Sequence, residues 1–254
     1  MNVADDGNQQ RNNEGLQAVL DHMFNSKIDA TVWLTRVGTV IFFLFCPFAM
    51  IIGNPWGCYK RSLLCNAAAC SLCLHQNLQN VHLSEDFFNL LLMDDCFHYL
   101  LFSLTFLFSH HSILVLISLV LYNLWSCSQY SLEILNKLGE GTSTIGNFFR
   151  SVNEHHEIYI LTLVAWAEVL IMPLSIVMLL TGYGSLWEPF MYYQFLSLRY
   201  ASRTGVYTRE IFHELKVMVE NYADNPSLPD IIRQFLRNMI SFISQLSPMV
   251  PSLH

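Results

Sequence analysis

The stretch FHYLLFSLTFLFSHHSILVLISLVLYNLWSC, residues 97–127, decides the fold because its 31 residues include no Lys, Arg, Asp or Glu. An uncharged apolar run longer than about 18 residues predicts a membrane-embedded segment. As one straight helix it would be about 46 Å long, whereas the hydrocarbon core is about 30 Å thick. The run therefore tilts steeply, extends beyond the hydrocarbon core, or folds back at the polar residues 109–112. The sequence leaves these alternatives open.

The composition of the whole chain agrees with a membrane protein. Of its 254 residues, 53% are hydrophobic and 13% are charged, against about 25% charged residues in soluble domains. We therefore predict an all-α, polytopic integral membrane protein with three to four membrane-embedded segments or helical hairpins and C-terminal amphipathic helices. The chain has no dense basic patch and no zinc-finger spacing, which argues against nucleic acid as a partner and leaves the lipid bilayer as the predicted one.

The apolar pattern divides the chain into three parts. Residues 1–26, rich in Asn, Gln and Asp, are predicted to be a polar disordered tail, residues 27–200 a membrane domain, and residues 201–254 a helical tail. The embedded segments are predicted at residues 30–52, 87–127, 158–181 and 189–200. The last is too short to cross a bilayer and is predicted to be interfacial or re-entrant. The glycine-rich residues 136–147 are predicted to form a loop.

The C-terminal tail contains a strongly amphipathic pattern between Pro229 and Pro248. Apolar residues cover about half of the helix circumference, and arginines lie on the other half. This pattern is typical of a helix that lies in a membrane interface with its arginines at the headgroups. The residues predicted to form this interface helix are Ile232, Arg233, Phe235, Leu236, Arg237, Met239, Phe242 and Ile243.

Four charged residues, Arg36, Asp94, Asp95 and Glu168, lie in or beside the apolar segments. A charge at mid-bilayer costs about 2.5–3.5 kcal/mol, so such residues are candidates for function, here an ion or proton pathway with Glu168 as its relay. The alternative is structural: Arg36 snorkels, the two aspartates lie at the interface, and Glu168 is protonated or bonded to a neighbouring helix. The structural alternative is favoured because residues 158–181 offer few other polar positions.

No pattern in the chain predicts a metal site, a cofactor or catalysis. Cys70-x-x-Cys73 has the spacing of half a zinc site, but no second Cys-x-x-Cys follows. The adjacent pairs His110-His111 and His155-His156 point about 100° apart on a helix and do not form a two-ligand clamp. The motifs of hydrolases, P-loop proteins and dinucleotide-binding proteins are absent from the sequence. An enzyme would need a lipid-modifying site without a recognisable motif.

The basic residues bear on orientation. Lys60-Arg61 follow the first apolar run, and further basic residues lie in the C-terminal tail. Counting crossings along the sequence places this loop and the tail on the same side, and the positive-inside rule predicts the cytosol for both. The side of the N-terminus is left open.

Four segments resemble the transmembrane protein 33 family, also called the Krüppel homologue 2 family: residues 27–34, 95–104, 167–173 and 194–203. The likeness covers about residues 24–251. It implies an integral protein of the endoplasmic reticulum membrane and nuclear envelope, with three spans and a cytosolic C-terminal tail. It also implies roles in the tubular reticulum and at nuclear pores, with reticulon-type partners, and it carries over no catalytic residue.

Two hypotheses of function follow. The first is a non-enzymatic protein that organises the tubular endoplasmic reticulum and membrane curvature, with adaptor roles at reticulons or nuclear pores. Segments that fill one leaflet, together with an interface helix on the same side, would favour curvature. The alternative is a small ion channel, transporter or channel regulator that uses Glu168.

Overall fold

The computed structural model describes residues 15–53, 55–79, 85–109, 111–139, 141, 143–202 and 205–223, with two single positions at 234 and 238. Within these residues every regular element is an α-helix. Three helices are long and apolar enough to cross a membrane, and a fourth span results if one bent helix pair is counted. The predicted fold class, an all-α polytopic membrane protein, is therefore confirmed.

The helices follow one another with short connections. The first, α1, covers residues 15–25. The others are α2 (Lys27–Ile52), α3 (Pro55–Leu78), α4 (Glu85–Met93), α5 (Asp95–Leu107), α6 (Ile113–Lys137), α7 (Thr144–Glu154), α8 (Glu157–Leu180), α9 (Trp187–Ala201) and α10 (Val206–Ala223). The three candidate spans are in α2, α6 and α8, and the bent pair is α4 with α5.

The bend between α4 and α5 has a local cause at Asp94. Its backbone is extended, so it ends α4, and its side chain accepts a hydrogen bond from the backbone N–H of Cys96 in the first turn of α5. An aspartate at this position satisfies a backbone donor that the helix itself leaves free. The two helices meet at 66°, so the acidic pair marks a break in the helix.

The charge-free stretch of residues 97–127 folds back on itself. Helix α5 ends at Leu107, and α6 begins at Ile113, so a single overlong helix does not form. Tyr99 lies before the turn and Tyr122 after it, and their rings stack with their centroids 3.9 Å apart. These two residues lie at nearly equal distances from the turn, which is the contact that a hairpin of two helices produces.

A buried amide cluster, which consists of Asn66, Ser103 and Asn123, ties the hairpin to α3. Asn66 donates to the Ser103 hydroxyl at 2.7 Å, and Asn123 donates to the Asn66 carbonyl oxygen at 2.7 Å. All three side chains are buried. Hydrogen bonds between helices are a principal source of association in a bilayer, where apolar contact with lipid competes with apolar contact between helices.

Helices α2 and α3 form an antiparallel pair joined at Gly53, whose positive φ of 91° suits glycine. Gln76 near the end of α3 donates to Asp29 near the start of α2, and Ser62 donates to the carbonyl oxygen of Thr39. We call the end of the bundle that holds α1, Asp29 and Gln76 the α1 end. The opposite end, where Trp56 contacts His111 in the α5–α6 turn, is the Trp56 end.

Helix α9 runs back from the Trp56 end beside α5. Tyr192 contacts Phe106 near the end of α5, whereas Ser202, just after α9, donates to Asp95 at the start of α5. Because Asp94 accepts from Asn77 in the last turn of α3, the corner between α9 and α10 lies at the α1 end. Lys60-Arg61 lie at the opposite, Trp56 end, because α3 returns along α2. The expectation that these residues share one side with the whole C-terminal tail stays a prediction, since the tail beyond residue 223 lies almost entirely outside the described residues.

The core and the lipid-facing surface are divided as a membrane bundle requires. The core between α3, α5, α6, α8 and α9 is aromatic and includes Phe102, Phe106, Tyr192 and Phe195. On α2 the large apolar side chains point outward; exposed examples are Leu34, Ile41, Leu44, Phe45 and Phe48. An apolar surface of this extent on a long helix is typical of contact with lipid.

Two helices occur where the composition predicted irregular chain. Residues 15–25, part of the predicted disordered tail, form α1, an amphipathic helix whose Val19 is buried. Residues 144–154 form α7, which begins within the predicted glycine-rich loop. The hydroxyl of Ser143 accepts a hydrogen bond from the Gly146 N–H and caps the first turn. A cap of this kind offsets part of the cost of a glycine in the helix.

Candidate functional site: a buried ionic network

Arg199 is the centre of a network that joins three helices. From α9 its guanidinium donates to Asp95 of α5 at 2.8 Å and to Glu168 of α8 at 3.3 Å. A third hydrogen bond of 3.2 Å reaches the hydroxyl of Tyr99. Only 6% of the Arg199 surface is exposed. The planar guanidinium has five donors in a fixed arrangement, so it can hold several acceptors at once, which a lysine cannot do in the same way.

Glu168 is completely buried, with 0% of its surface exposed. Its Oε1 atom accepts a 2.7 Å hydrogen bond from the Tyr99 hydroxyl, and its Oε2 atom accepts from Arg199. The backbone carbonyl of Glu168 accepts from the Tyr192 hydroxyl at 2.6 Å. Both side-chain oxygens and the backbone carbonyl are thus engaged by residues of α5 and α9, the arrangement that makes a buried carboxylate tolerable.

The surroundings of Arg199 stabilise the positive charge of its guanidinium. Burial alone lowers the pKa of the guanidinium, but the attraction of the oxygen atoms of Tyr99, Glu168 and Asp95 outweighs this effect and raises the pKa above its ordinary value. The side chain is therefore a permanent cation at any physiological pH. It also lies over the Tyr99 ring, 5.1 Å from the centroid, where the negative face of the ring attracts it.

The neighbouring aspartates Asp94 and Asp95 make different contacts. Asp95 is the ionic partner of Arg199 and also accepts from Ser202 at 3.3 Å. Asp94 does not join the network: one of its oxygens caps α5, and the other accepts from Asn77 at 2.7 Å. His98 lies 3.8 Å from Asp95, which is too long for a hydrogen bond.

The remaining predicted residues lie elsewhere. Arg36 is buried between α2, α3 and α6, away from the network; its nearest polar contact is the Cys73 sulfur at 4.0 Å. The residues predicted to form the interface helix, Ile232, Arg233, Phe235, Leu236, Arg237, Met239, Phe242 and Ile243, all lie outside the described residues.

The sequence predicted Glu168 and Asp95 as candidates but not Arg199, which joins them. Arg199 follows Glu168 by 31 positions and Asp95 by 104, so no local spacing indicates the pairing. The available signal was charge balance, because a buried carboxylate requires a donor and Arg199 is the basic residue of the fourth apolar segment. Residues 194–203, one of the four segments that carry the family likeness, contain it.

This arrangement holds helices together. The oxygens of Glu168 are occupied by fixed donors, and its surface is closed to solvent, whereas a proton or ion relay needs exchangeable access to the group. Among the described residues no cluster of three His, Cys, Asp or Glu side chains could hold a metal ion. The network instead positions α9 against α5 and α8.

Comparison with known proteins gives a consistent result. The family model described as Transmembrane protein 33/Nucleoporin POM33 matches residues 11–249. Transmembrane protein 33 of Mus musculus and of Homo sapiens are each 35% identical to the chain, over 90% of its length and 93% of theirs. Krueppel homolog 2 of Drosophila melanogaster is 33% identical, over 91% of the chain and 83% of its own length. No solved structure matches the chain.

Proposed function

Because the chain belongs to the Transmembrane protein 33/Nucleoporin POM33 family, as the sequence likeness predicted, we propose that it is a non-enzymatic scaffold of the endoplasmic reticulum membrane and nuclear envelope. It would favour curved, tubular membrane and present a cytosolic surface to other reticulum-shaping or nuclear pore membrane proteins. The word nucleoporin in the family description supports the envelope part of this proposal. The curvature part rests on the shape of the bundle.

The observation that carries the proposal is the unequal covering of the two ends. Among the described residues, the Trp56 end has the short connections that follow α2, α5 and α8. At the α1 end lie α1, α7 and the corner that leads to α10. Protein mass in one headgroup layer expands that leaflet relative to the other, and amphipathic helices in an interface are sensitive to curvature.

The exposed side chains of the α1-end helices suit an interface. Leu16, Leu20 and Phe24 of α1 are exposed at four-residue spacing, which places them on one face. On α7, Ile145 and Phe148 are exposed in the same way, whereas the other positions of this helix are mostly polar. Such faces gain apolar burial when they lie at the boundary of headgroups and acyl chains.

The distribution of basic residues supports a cytosolic α1 end. Lys27, Lys137 and Arg150 lie in the elements of that end, and Arg209 donates to the carbonyl oxygens of Tyr200 and Ser202 at the α9–α10 corner. The Trp56 end has Lys60 and Arg61. Under the positive-inside rule the α1 end faces the cytosol. The α9–α10 corner, where the predicted C-terminal tail begins, is then cytosolic, and so is α1.

The ionic network supports a static scaffold over the channel hypothesis. A membrane protein that acts on curvature must resist lateral pressure from lipid, and the short helix α9 is fixed to α5 and α8 by Arg199 through charge-assisted bonds. Both side-chain oxygens of Glu168, the candidate relay, accept hydrogen bonds within this network. The rigidity that results is what a protein needs if its shape is to act on the membrane.

The proposal is tested by reconstituting the full chain into liposomes and imaging them by electron microscopy. We expect tubules or small vesicles with the unchanged chain, and a clear loss of tubulation in the double variant Ile145→Glu/Phe148→Glu. Two carboxylates on the apolar face of α7 would prevent it from entering the interface. The matched control is Thr144→Glu/His155→Glu, which adds two acidic groups at exposed polar positions beside the same helix.

The control is expected to tubulate like the unchanged chain. If the chain leaves liposomes spherical at high protein-to-lipid ratio, the curvature proposal fails. If both double variants lose tubulation equally, added charge and not the apolar face of α7 is responsible, and the role given to α7 is wrong. Ion flux in the same liposomes that disappears in Glu168→Gln would support the channel hypothesis instead.

A further inference from the structure

A cleft at the α1 end contains a buried cation that has no carboxylate partner among the described residues. It has a volume of about 330 Å³ and lies between α2, α3 and α6. Arg36, with 8% of its surface exposed, is buried at its wall. No carboxylate of the described residues lies within 4 Å of its guanidinium; its contacts are the Cys73 sulfur at 4.0 Å and the Tyr122 ring at 6.0 Å.

The carboxylates that line the same cleft are directed elsewhere. Asp29 accepts from Gln76 at 2.8 Å, and Glu133 is paired with Lys137 at 3.5 Å. Neither bonds Arg36, although both line the cleft. A buried guanidinium without a carboxylate partner is costly, so an anionic group supplied from outside the protein would stabilise Arg36.

The lining residues are arranged in layers along the helices. On α2 the positions 29, 33 and 36 share one face, as do 126, 129, 130 and 133 on α6. Because α2 begins and α6 ends at the α1 end, Asp29 and Glu133 form the mouth, Trp33 and Tyr130 the middle, and Arg36 the floor. The first two are exposed, the next two half-buried and the last buried, as this order requires.

The two aromatic rings form a corner in the middle of the cleft. The centroids of Trp33 and Tyr130 are 5.9 Å apart, and their planes are inclined by 47°. The indole N–H of Trp33 donates to Ser131 at 2.9 Å, which fixes its ring. Aromatic faces beside carboxylates are the surroundings that recognise an alkylated ammonium group by cation–π attraction.

From this layering we infer that the cleft binds the zwitterionic headgroup of a phospholipid, with its phosphate on Arg36 and its ammonium group between Trp33, Tyr130 and the carboxylates at the mouth. A guanidinium binds phosphate through two parallel hydrogen bonds. In such a lipid the phosphate is nearer the acyl chains and the ammonium nearer to water, which is the order of the layers. The volume lies at the lower limit of ligand pockets.

Native mass spectrometry of the full chain in detergent, with short-chain phosphatidylcholine and phosphatidylglycerol titrated separately, tests this inference. We expect the zwitterionic lipid to be retained more strongly, because an anionic headgroup would meet Asp29 and Glu133 without a cation of its own. Arg36→Gln should weaken retention by about tenfold, the loss of one charge-assisted contact. The matched control is Arg61→Gln, an exposed arginine at the Trp56 end, which should leave retention unchanged.

A second variant keeps the test informative if Arg36→Gln does not fold. Asp29→Asn/Glu133→Gln changes only exposed positions at the mouth and should shift the preference from phosphatidylcholine towards phosphatidylglycerol. Soluble phosphocholine is the third probe, and we expect it to bind far more weakly than the lipid. Equal retention of both lipids by the unchanged chain, no change in preference in the mouth variant, or affinity for phosphocholine equal to that for the lipid would each overturn the inference.

Discussion

Replacing Arg199 by methionine should destabilise the membrane bundle more than any other single change in the ionic network. The substitution removes two ion pairs and the hydrogen bond to Tyr99, and it leaves the carboxylates of Asp95 and Glu168 without their cation. Removing one partner of a buried ion pair costs about 3–5 kcal/mol. We expect about 3 kcal/mol, the lower limit, because the Asp95 side chain is 23% exposed and water can partly compensate it.

A sharper prediction concerns the pair Arg199 and Glu168. Glu168→Gln alone should cost about 1 kcal/mol, since the amide oxygen still accepts from Tyr99 and Arg199 keeps Asp95. In the double variant Arg199→Met/Glu168→Gln the fully buried carboxylate is gone together with its cation. The double variant should therefore be about 1 kcal/mol more stable than Arg199→Met, a strongly non-additive result.

Unfolding of the purified chain by sodium dodecyl sulfate in mixed micelles, followed by circular dichroism, measures these free energies. Arg61→Met, an exposed arginine outside the network, is the control and should change the free energy of unfolding by less than about 0.5 kcal/mol. The account of the network is refuted if Arg199→Met costs less than about 1 kcal/mol, or if the two substitutions simply add.

Three further predictions concern packing. Asn123→Leu removes a donor from the buried amide cluster and should cost about 1–2 kcal/mol in the same unfolding experiment. Gly205→Ala should destabilise the α9–α10 corner, because the new methyl group would collide with the backbone carbonyl of Arg199, whereas Gly38→Ala meets a side chain at ordinary contact distance and should be neutral or slightly stabilising. Cys70 is 1% exposed, so a maleimide reagent should label it only after unfolding, and mass spectrometry of labelled peptides would show this.

The sequence predicted best those parts of the fold that correspond to long apolar runs. The charge-free run of residues 97–127 predicted membrane embedding, and its polar residues 109–112 marked the turn where the hairpin forms. The same reasoning missed α7, because glycines at 139, 141 and 146 outweighed a short helical pattern whose stability depends on the Ser143 cap. Propensity is a weak signal at this length, and tertiary contacts decide.

The sequence predicted only part of the candidate site, because one member is conspicuous locally and the others are distant in sequence. Glu168 stands out because a carboxylate in an apolar run is costly, but its partners come from helices that are far away in sequence. The crossings counted from the sequence did not include α3, since nothing in the low hydropathy of residues 55–78 indicates that they return along α2. Only the packed structure, with Gln76 beside Asp29, shows this.

The central claim is that α1, α7 and the α9–α10 corner lie together at a cytosolic end, whereas the described residues at the other end form the short connections after α2, α5 and α8. Single cysteines at Glu154, in the last turn of α7, and at Leu186, in the turn before α9, test it most directly. Both positions are exposed. In sealed endoplasmic reticulum vesicles, with the native cysteines replaced, a membrane-impermeant maleimide should label position 154 at once and position 186 only after permeabilisation. Labelling of both positions in sealed vesicles, or of position 186 alone, would contradict the account.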